Sequence, residues 1–173
     1  MTDVFGCETE PAAEALSAEE VFERYGDMVY RLAFVRTKNR CDADDILQDV
    51  FLRYLRSAPV FRDEEHRKAW LIRTTINRTK SLLGSAWFRR TAPLADDLKT
   101  EMEEKSEVYD AVLALPVKYR TVIHLFYYED YSVAEVAAAL SEKETTVRSQ
   151  LHRARNLLRE ELKGDYEDVS GQL

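Results

Sequence analysis

Few residues in this chain can form the turns of a β fold. Its 173 residues include only five glycines and four prolines, whereas proteins built from many short strands use both residues in their tight turns. Several long stretches instead repeat apolar residues at the 3.6-residue period of a helix. The sequence therefore predicts an all-α protein.

Cysteines and long apolar runs are also scarce. Cys7 and Cys41 lie far apart without C-x-x-C spacing, so neither a zinc site nor a disulfide framework is indicated, and we expect two free thiols. No apolar run approaches the roughly 20 residues that cross a bilayer, and the N-terminus lacks the basic start and apolar core of a secretory signal. We expect a cytoplasmic chain without membrane insertion.

Enzyme chemistry is not indicated either. The chain has no metal-ligand spacing, no glycine-rich phosphate loop and no recognisable pairing of a nucleophile with a base. We therefore predict a protein that is not an enzyme and that needs no cofactor and no metal.

The most informative segment runs from Asp130 to Arg155. Ser132 and Glu135 have the spacing of a capping box, which starts a short apolar-periodic helix. A polar break follows, and a second apolar-periodic helix continues through Val147. Two short helices around such a break are typical of a helix-turn-helix.

A polar stripe runs along the second of these helices, opposite its apolar face. Arginine side chains bind phosphates, and Arg, Ser and His can form hydrogen bonds with base edges in the major groove. The stripe predicts a duplex-binding surface; a solvent-exposed helix face without a ligand is the alternative. Its members are Arg148, Ser149, His152, Arg155 and Arg159, with Gln150 and Arg153 on the flank.

The N-terminal part of the chain contains three further helical patterns. The first spans residues 18–37, the second begins with an Asp-rich turn at Asp42, and the third covers residues 66–80. The third combines Trp70 and Asn77 with five Lys or Arg residues. Cations for phosphates together with aromatic or amide groups for bases can hold single-stranded DNA, although Trp70 taken alone is more often a core residue.

Charge is segregated along the chain, which has a net charge of −7. Residues 1–24 carry seven acids against one base, residues 66–95 carry seven Lys or Arg and no acid, and residues 96–110 carry seven acids against two lysines. Two basic regions separated by an acidic one suit a protein that meets DNA in two places, and the overall acidity predicts weak DNA binding by the free chain.

Domain boundaries follow from this map and from the loss of helical periodicity after Ser85. We predict two small helical domains, at 18–90 and 106–164, joined by a flexible linker at 91–105. An acidic N-terminal extension at 1–17 and a frayed tail at 165–173 complete the prediction.

Six motifs occur here in a fixed order. They are Tyr25-x-x-Met28-Val-Tyr-Arg-Leu-Ala33, Asp42 to Leu52, Ala69-Trp-Leu-Ile-Arg73 with Asn77, Leu115-Pro-x-x-Tyr-Arg120, Tyr131-Ser132 and Val147 to Arg155. Through these motifs, from about Glu20 to Leu162, the chain resembles the extracytoplasmic-function (ECF) group of sigma-70-type RNA polymerase sigma factors.

The resemblance implies a domain that recognises and melts the promoter −10 element and a second domain that recognises the −35 element. It also implies core RNA polymerase, through its β′ coiled coil and β flap, and promoter DNA as partners; an anti-sigma protein is a common further partner in the family. The implied −10 set is Phe61, Arg62, Trp70, Arg73, Asn77 and Lys80. The implied −35 set is Arg148, Ser149, His152, Arg153 and Arg155. The implied docking set for core polymerase is Asp45, Gln48, Asp49, Phe51 and Leu52, with a core position as the alternative for Phe51.

Two other functions are consistent with parts of the pattern. A helix-turn-helix regulator would bind duplex DNA without polymerase, and a helical interaction protein would not bind DNA at all. The Asp-rich helix followed by the basic helix with Trp70 and Asn77 favours the sigma factor, because a duplex-binding regulator needs no single-strand surface.

Many relatives carry glycine where this chain has Ser141, which leaves open whether Ser141 itself adopts a positive φ.

Overall fold

A computed structural model of the chain describes residues 16–86 and 107–170, with the side chains of residues 86 and 164–170 excepted. These residues form seven α-helices and no strand, which confirms the all-α prediction. The predicted linker at 91–105 and most of the acidic extension lie outside the described residues. The helices are α1 (Ala18–Thr37), α2 (Arg40–Ser57), α3 (Glu64–Ala86), α4 (Glu107–Ala114), α5 (Val117–Tyr127), α6 (Val133–Leu140) and α7 (Glu144–Ser170).

The N-terminal half is a bundle of α1, α2 and α3. A capping box starts α1: the Ser17 hydroxyl accepts from the Glu20 amide at 3.2 Å, and the Glu20 carboxylate accepts from the Ser17 amide at 2.7 Å. Apolar side chains at helical spacing form the core between the three helices, with Leu32, Leu71 and Ile72 fully buried. Burying each such side chain stabilises the fold by about 1.5–3 kcal/mol.

The C-terminal half packs α4, α5 and α6 around α7, and α6 and α7 form the predicted helix-turn-helix. The capping box of α6 is present: the Glu135 carboxylate accepts from the Ser132 amide at 2.8 Å. Hydrogen bonds from Ser132, first from its hydroxyl and then from its amide, lower the pKa of Glu135. Helix α7 continues to Ser170, so helix also covers residues 165–170 of the segment predicted to fray.

Ser141 makes the turn between α6 and α7 by adopting a left-handed conformation, with φ 59° and ψ 42°. The next amide, that of Glu142, donates to the Ala137 carbonyl at 2.9 Å, which is the long hydrogen bond of a Schellman cap. The chain therefore keeps the cap geometry that glycine usually provides, although a serine occupies the position.

Replacing Ser141 by glycine should stabilise the fold by about 0.5–1 kcal/mol. A left-handed conformation costs a residue with a side chain about 1–2 kcal/mol, and the larger unfolded-state entropy of glycine cancels part of that gain. Urea unfolding would measure the change. The matched control is Ser81→Gly on the exposed side of α3, where the same replacement should cost about 0.5 kcal/mol. Equal destabilisation by both replacements would contradict the prediction.

The two halves contact each other through α1 with α5 and through α3 with α6. These contacts place the side of α3 that carries Arg73 and Lys80 against the end of α6. We refer to this packing of the two halves as the closed arrangement.

Candidate nucleic-acid and polymerase-binding surfaces

All five members of the −35 set are exposed on α7, opposite the buried face formed by Val147, Leu151 and Ala154. Helix α5 positions one of them: Arg155 Nε donates to the Tyr127 hydroxyl at 2.8 Å, and its guanidinium lies 5.7 Å from the centre of the Tyr127 ring. These contacts reduce the rotamer freedom that Arg155 would lose on binding DNA.

The other members of the set keep looser local contacts. Arg148 pairs with Glu144 at 2.9 Å on the exposed side of the helix, and the His152 ring lies 3.2 Å from the Asn156 amide nitrogen. An exposed ion pair of this kind contributes at most about 1 kcal/mol. Phosphates or base edges can therefore compete for Arg148 at little cost.

Arg153, unlike Arg148, His152 and Arg155, lines a cleft between α5 and α7. The cleft has a volume of about 310 Å³ and no acidic lining residue. A hydrogen bond from Arg153 is the main cause of a lowered pKa at Tyr119; Lys118 adds to it, with its ammonium 4.8 Å from the centre of the Tyr119 ring. The residues that line the cleft are Lys118, Tyr119, Thr146, Ser149, Gln150 and Arg153.

Sequence reasoning did not select Lys118 or Tyr119 for a binding role. They lie on α5, and the periodicity argument concerned only the residues of the recognition helix itself. Their position inside the Leu115 to Arg120 motif was the available signal, but only the fold shows that they face Arg153.

The −10 set is divided between an exposed face and an aromatic cluster. Arg73, Asn77 and Lys80 are exposed and lie four and three residues apart on α3, so they share one face. Trp70 is partly buried, with its ring edge-on to Phe61 at 6.1 Å between centres. Phe61 itself is only 4% exposed, so it supports the cluster from inside, whereas its neighbour Arg62 is exposed.

The docking set is divided in a similar way. Asp45, Gln48 and Leu52 are exposed along one side of α2. Asp49 is half-buried and forms an ion pair with Arg78 of α3. Phe51 is 7% exposed and packs edge-on to the ring of Phe22, so the accessible part of this surface consists of the first three residues and part of Asp49.

Comparisons with known proteins show which family the chain belongs to. The model of "Sigma-70 region 2" matches residues 21–89, and the model of "Sigma-70, region 4" matches residues 105–158. The ECF RNA polymerase sigma factor SigM of Mycobacterium tuberculosis (strain H37Rv) is 33% identical over 149 residues, which cover 83% of this chain and 76% of SigM. The chain belongs to the ECF sigma factors of RNA polymerase.

Other relatives of this sigma factor support the same assignment. The RNA polymerase sigma factor SigV of Bacillus subtilis is 32% identical over 145 residues, covering 77% of this chain and 83% of SigV. Because the region 2 match covers the N-terminal half, the alternative of a regulator that acts without polymerase is not favoured.

Solved structures confirm the fold of this sigma factor. Sigma factor RpoE in complex with the anti-sigma factor NepR from Bartonella quintana aligns with a TM-score of 0.66 and 18% identity, covering 84% of this chain and 96% of RpoE. CnrH in complex with the cytosolic domain of CnrY aligns with a TM-score of 0.60 and 24% identity, covering 86% of this chain and 88% of that one.

Within residues 16–86 and 107–170, no helix is long and apolar enough to span a membrane. The same part of the chain contains no cluster of three or more His, Cys, Asp or Glu residues arranged to hold a metal ion.

Proposed function

We propose that this sigma factor acts through three separate surfaces: α2 binds core RNA polymerase, α3 captures the melted −10 strand, and α7 recognises the −35 duplex. The observation that carries the proposal is the exposed line of Arg73, Asn77 and Lys80 on one half of the chain, together with the −35 set on the other. Each half therefore offers cations and hydrogen-bond donors on a single helix face.

The α7 surface fits duplex DNA. A helix of this kind enters the major groove, where its exposed N-terminal residues meet base edges. Arg148, Ser149 and His152 lie in that part of α7 and provide donors for bases or phosphates. Which base edges these three side chains contact depends on how α7 docks in the groove.

The cleft between α5 and α7 suits a phosphate beside the groove. Lys118 and Arg153 both line the cleft around Tyr119, and no lining residue is acidic. No carboxylate of the cleft lining offsets their positive charge, which a phosphate would complement. We infer that Lys118 and Arg153 position the −35 duplex through its backbone, independently of the base sequence.

Replacing Lys118 by glutamine should weaken binding of the holoenzyme to all promoters about equally. Each phosphate contact that is lost should lower the slope of log affinity against log salt by about 0.9 for duplex DNA. Titrations of fluorescent promoter fragments at several salt concentrations would measure the slope. Lys163→Gln, at an exposed site later in α7, is the matched control, and equal slopes for both variants would rule out the phosphate contact.

The α3 surface fits a single strand that has been opened. Its cations can neutralise phosphates, and Asn77 can hydrogen-bond a base that has left the stack. Unstacking a base costs a few kcal/mol, so binding energy on this face must offset it. RNA synthesis itself is the chemistry of polymerase.

The α2 surface, with Asp45, Gln48 and Leu52 exposed, is our candidate for the β′ coiled coil. A second contact, between the C-terminal half and the β flap, completes the proposed docking. We also propose that the chain acts in the cytoplasm, where the chromosome is. RpoE was solved in complex with an anti-sigma factor, and we propose an anti-sigma partner for this chain as well.

Transcription with purified components tests the proposal. Core RNA polymerase and the full chain should together start RNA at discrete sites on fragments of the genome that encodes the chain, and core polymerase alone should not. The opposite result is tight binding of a specific duplex by the chain without polymerase and no defined start sites in its presence. That result would return the duplex-binding regulator as the better explanation.

A further inference from the structure

Three cations of α3 are bound by the C-terminal half in the closed arrangement. Lys68 Nζ donates to the Glu129 carbonyl at 2.9 Å and lies 3.8 Å from its carboxylate. Arg73 Nη2 donates to the Ala138 carbonyl at 3.3 Å, and Lys80 Nζ donates to the Leu140 carbonyl at 3.4 Å. Two of these cations, Arg73 and Lys80, belong to the −10 set.

The acceptors on the C-terminal half resemble an anionic strand in charge. The Ala138 and Leu140 carbonyls are at the C-terminal end of α6, where carbonyls carry the negative end of the helix dipole. Glu129 adds a carboxylate that is 7% exposed and lies 3.4 Å from His124 Nε2. Oxygen atoms therefore occupy the positions that phosphates would take beside Lys68, Arg73 and Lys80.

We propose that the corner between α5 and α6 competes with the melted −10 strand for the same cations, so that the closed chain cannot bind the strand and opening exposes it. This inference rests on the strand-binding role proposed for α3, and it adds Lys68 to that surface. It also gives the weak DNA binding expected of the free chain a specific structural cause, beyond its net charge.

A second contact between the halves contains two buried arginines. Arg36 is 5% exposed; its Nε donates to Thr79 at 2.5 Å and its Nη1 to Thr121 at 2.9 Å. Arg120, 8% exposed, donates to the Arg36 carbonyl at 2.8 Å and to the Val35 carbonyl. Hydrogen bonds from two arginines thus join α1 to α5.

Neither guanidinium has a carboxylate partner within the described residues. Burial, with a smaller contribution from the neighbouring charge of Arg120, lowers the pKa of Arg36 to about 10. Two buried like charges oppose the hydrogen bonds that join the halves. A partner that binds only the open arrangement shifts the chain toward that arrangement.

Energy transfer in the full chain tests the competition. Donor and acceptor dyes on Cys41 and on a cysteine introduced as Lys143→Cys, with Cys7→Ser, place one dye on each half; both positions are exposed. The probe is a mixed-sequence single-stranded DNA 12-mer, titrated at low salt. Addition of the 12-mer should lower the transfer efficiency, and unchanged transfer at saturation would overturn the proposal.

Two isosteric variants weaken closure without touching the proposed strand contacts. Glu129→Gln removes the carboxylate opposite Lys68, and Thr121→Val removes the acceptor of Arg36. Losing one such buried contact should raise the affinity for the 12-mer roughly fivefold or more and lower the transfer efficiency before DNA is added. Glu23→Gln, an equal charge change on the exposed side of α1, should change neither.

The failures can be told apart with Arg73→Gln in the Glu129→Gln background. If Arg73→Gln weakens binding of the 12-mer but neither closure variant strengthens it, the competition is wrong and the strand-binding role stands. If Arg73→Gln leaves the affinity unchanged, the role of α3 is wrong and the competition falls with it. Circular dichroism of each variant confirms that the helices are intact.

Discussion

Core RNA polymerase should no longer retain the chain when Asp45 is replaced by arginine and Gln48 by alanine. Both side chains are exposed on α2, so their replacement leaves the core of the bundle intact. Reversing a charge at a complementary interface introduces repulsion as well as removing attraction, and costs several kcal/mol. We expect at least about a hundredfold weaker binding, since each 1.4 kcal/mol is tenfold, measured by capture on immobilised core enzyme.

The variant leaves Asp49 unchanged because its ion pair with Arg78 joins α2 to α3. Asp27→Arg is the matched control: it makes the same charge reversal at an exposed position of α1. Equal capture of wild type, control and docking variant would mean that polymerase binds elsewhere on the chain.

Replacing Asn77 by alanine should slow promoter opening by the holoenzyme about 10- to 100-fold. Contacts to an unstacked base are worth about 1–3 kcal/mol, and Asn77 lies between two cations on the exposed face of α3. Permanganate reactivity of thymines in the melted region would measure the rate, at promoters found with the wild-type chain.

A template with a mismatched, already open −10 region should restore most of the activity of the Asn77 variant. On such a template, no binding energy from the missing contact is needed to offset unstacking. Arg53→Ala, at an exposed site on α2, is the control and should open promoters at the wild-type rate. A defect of the Asn77 variant that is equal on open and duplex templates would place Asn77 in a step other than melting.

Local signals explain what the sequence could predict. The capping box of α6 and the apolar spacing of α7 depend on residues three or four apart, and both are present in the structure. The open question at Ser141 is answered by the fold, since the residue adopts the left-handed conformation itself. The flank position of Arg153 was also visible from spacing, whereas its partner Tyr119 was not.

Contacts between distant residues explain what the sequence could not predict. The hydrogen bonds of Arg120 to the end of α1 span more than 80 positions, and no periodicity encodes them. The buried positions of Phe51 and Phe61 also depend on neighbouring helices. An aromatic residue at the edge of an apolar face can be buried or exposed, and packing against the neighbouring helices decides which.

Exchange of partners on α3 decides how strand binding by the free chain depends on ionic strength. Opening breaks contacts of Lys68, Arg73 and Lys80 with protein oxygens, and strand binding replaces them with phosphate contacts. The number of neutralised cations on the protein stays similar, while the DNA still releases its condensed counterions. Added salt should therefore loosen the internal contacts of the free chain and weaken strand capture together, so that the free chain stays a poor DNA binder at low and at high salt concentrations.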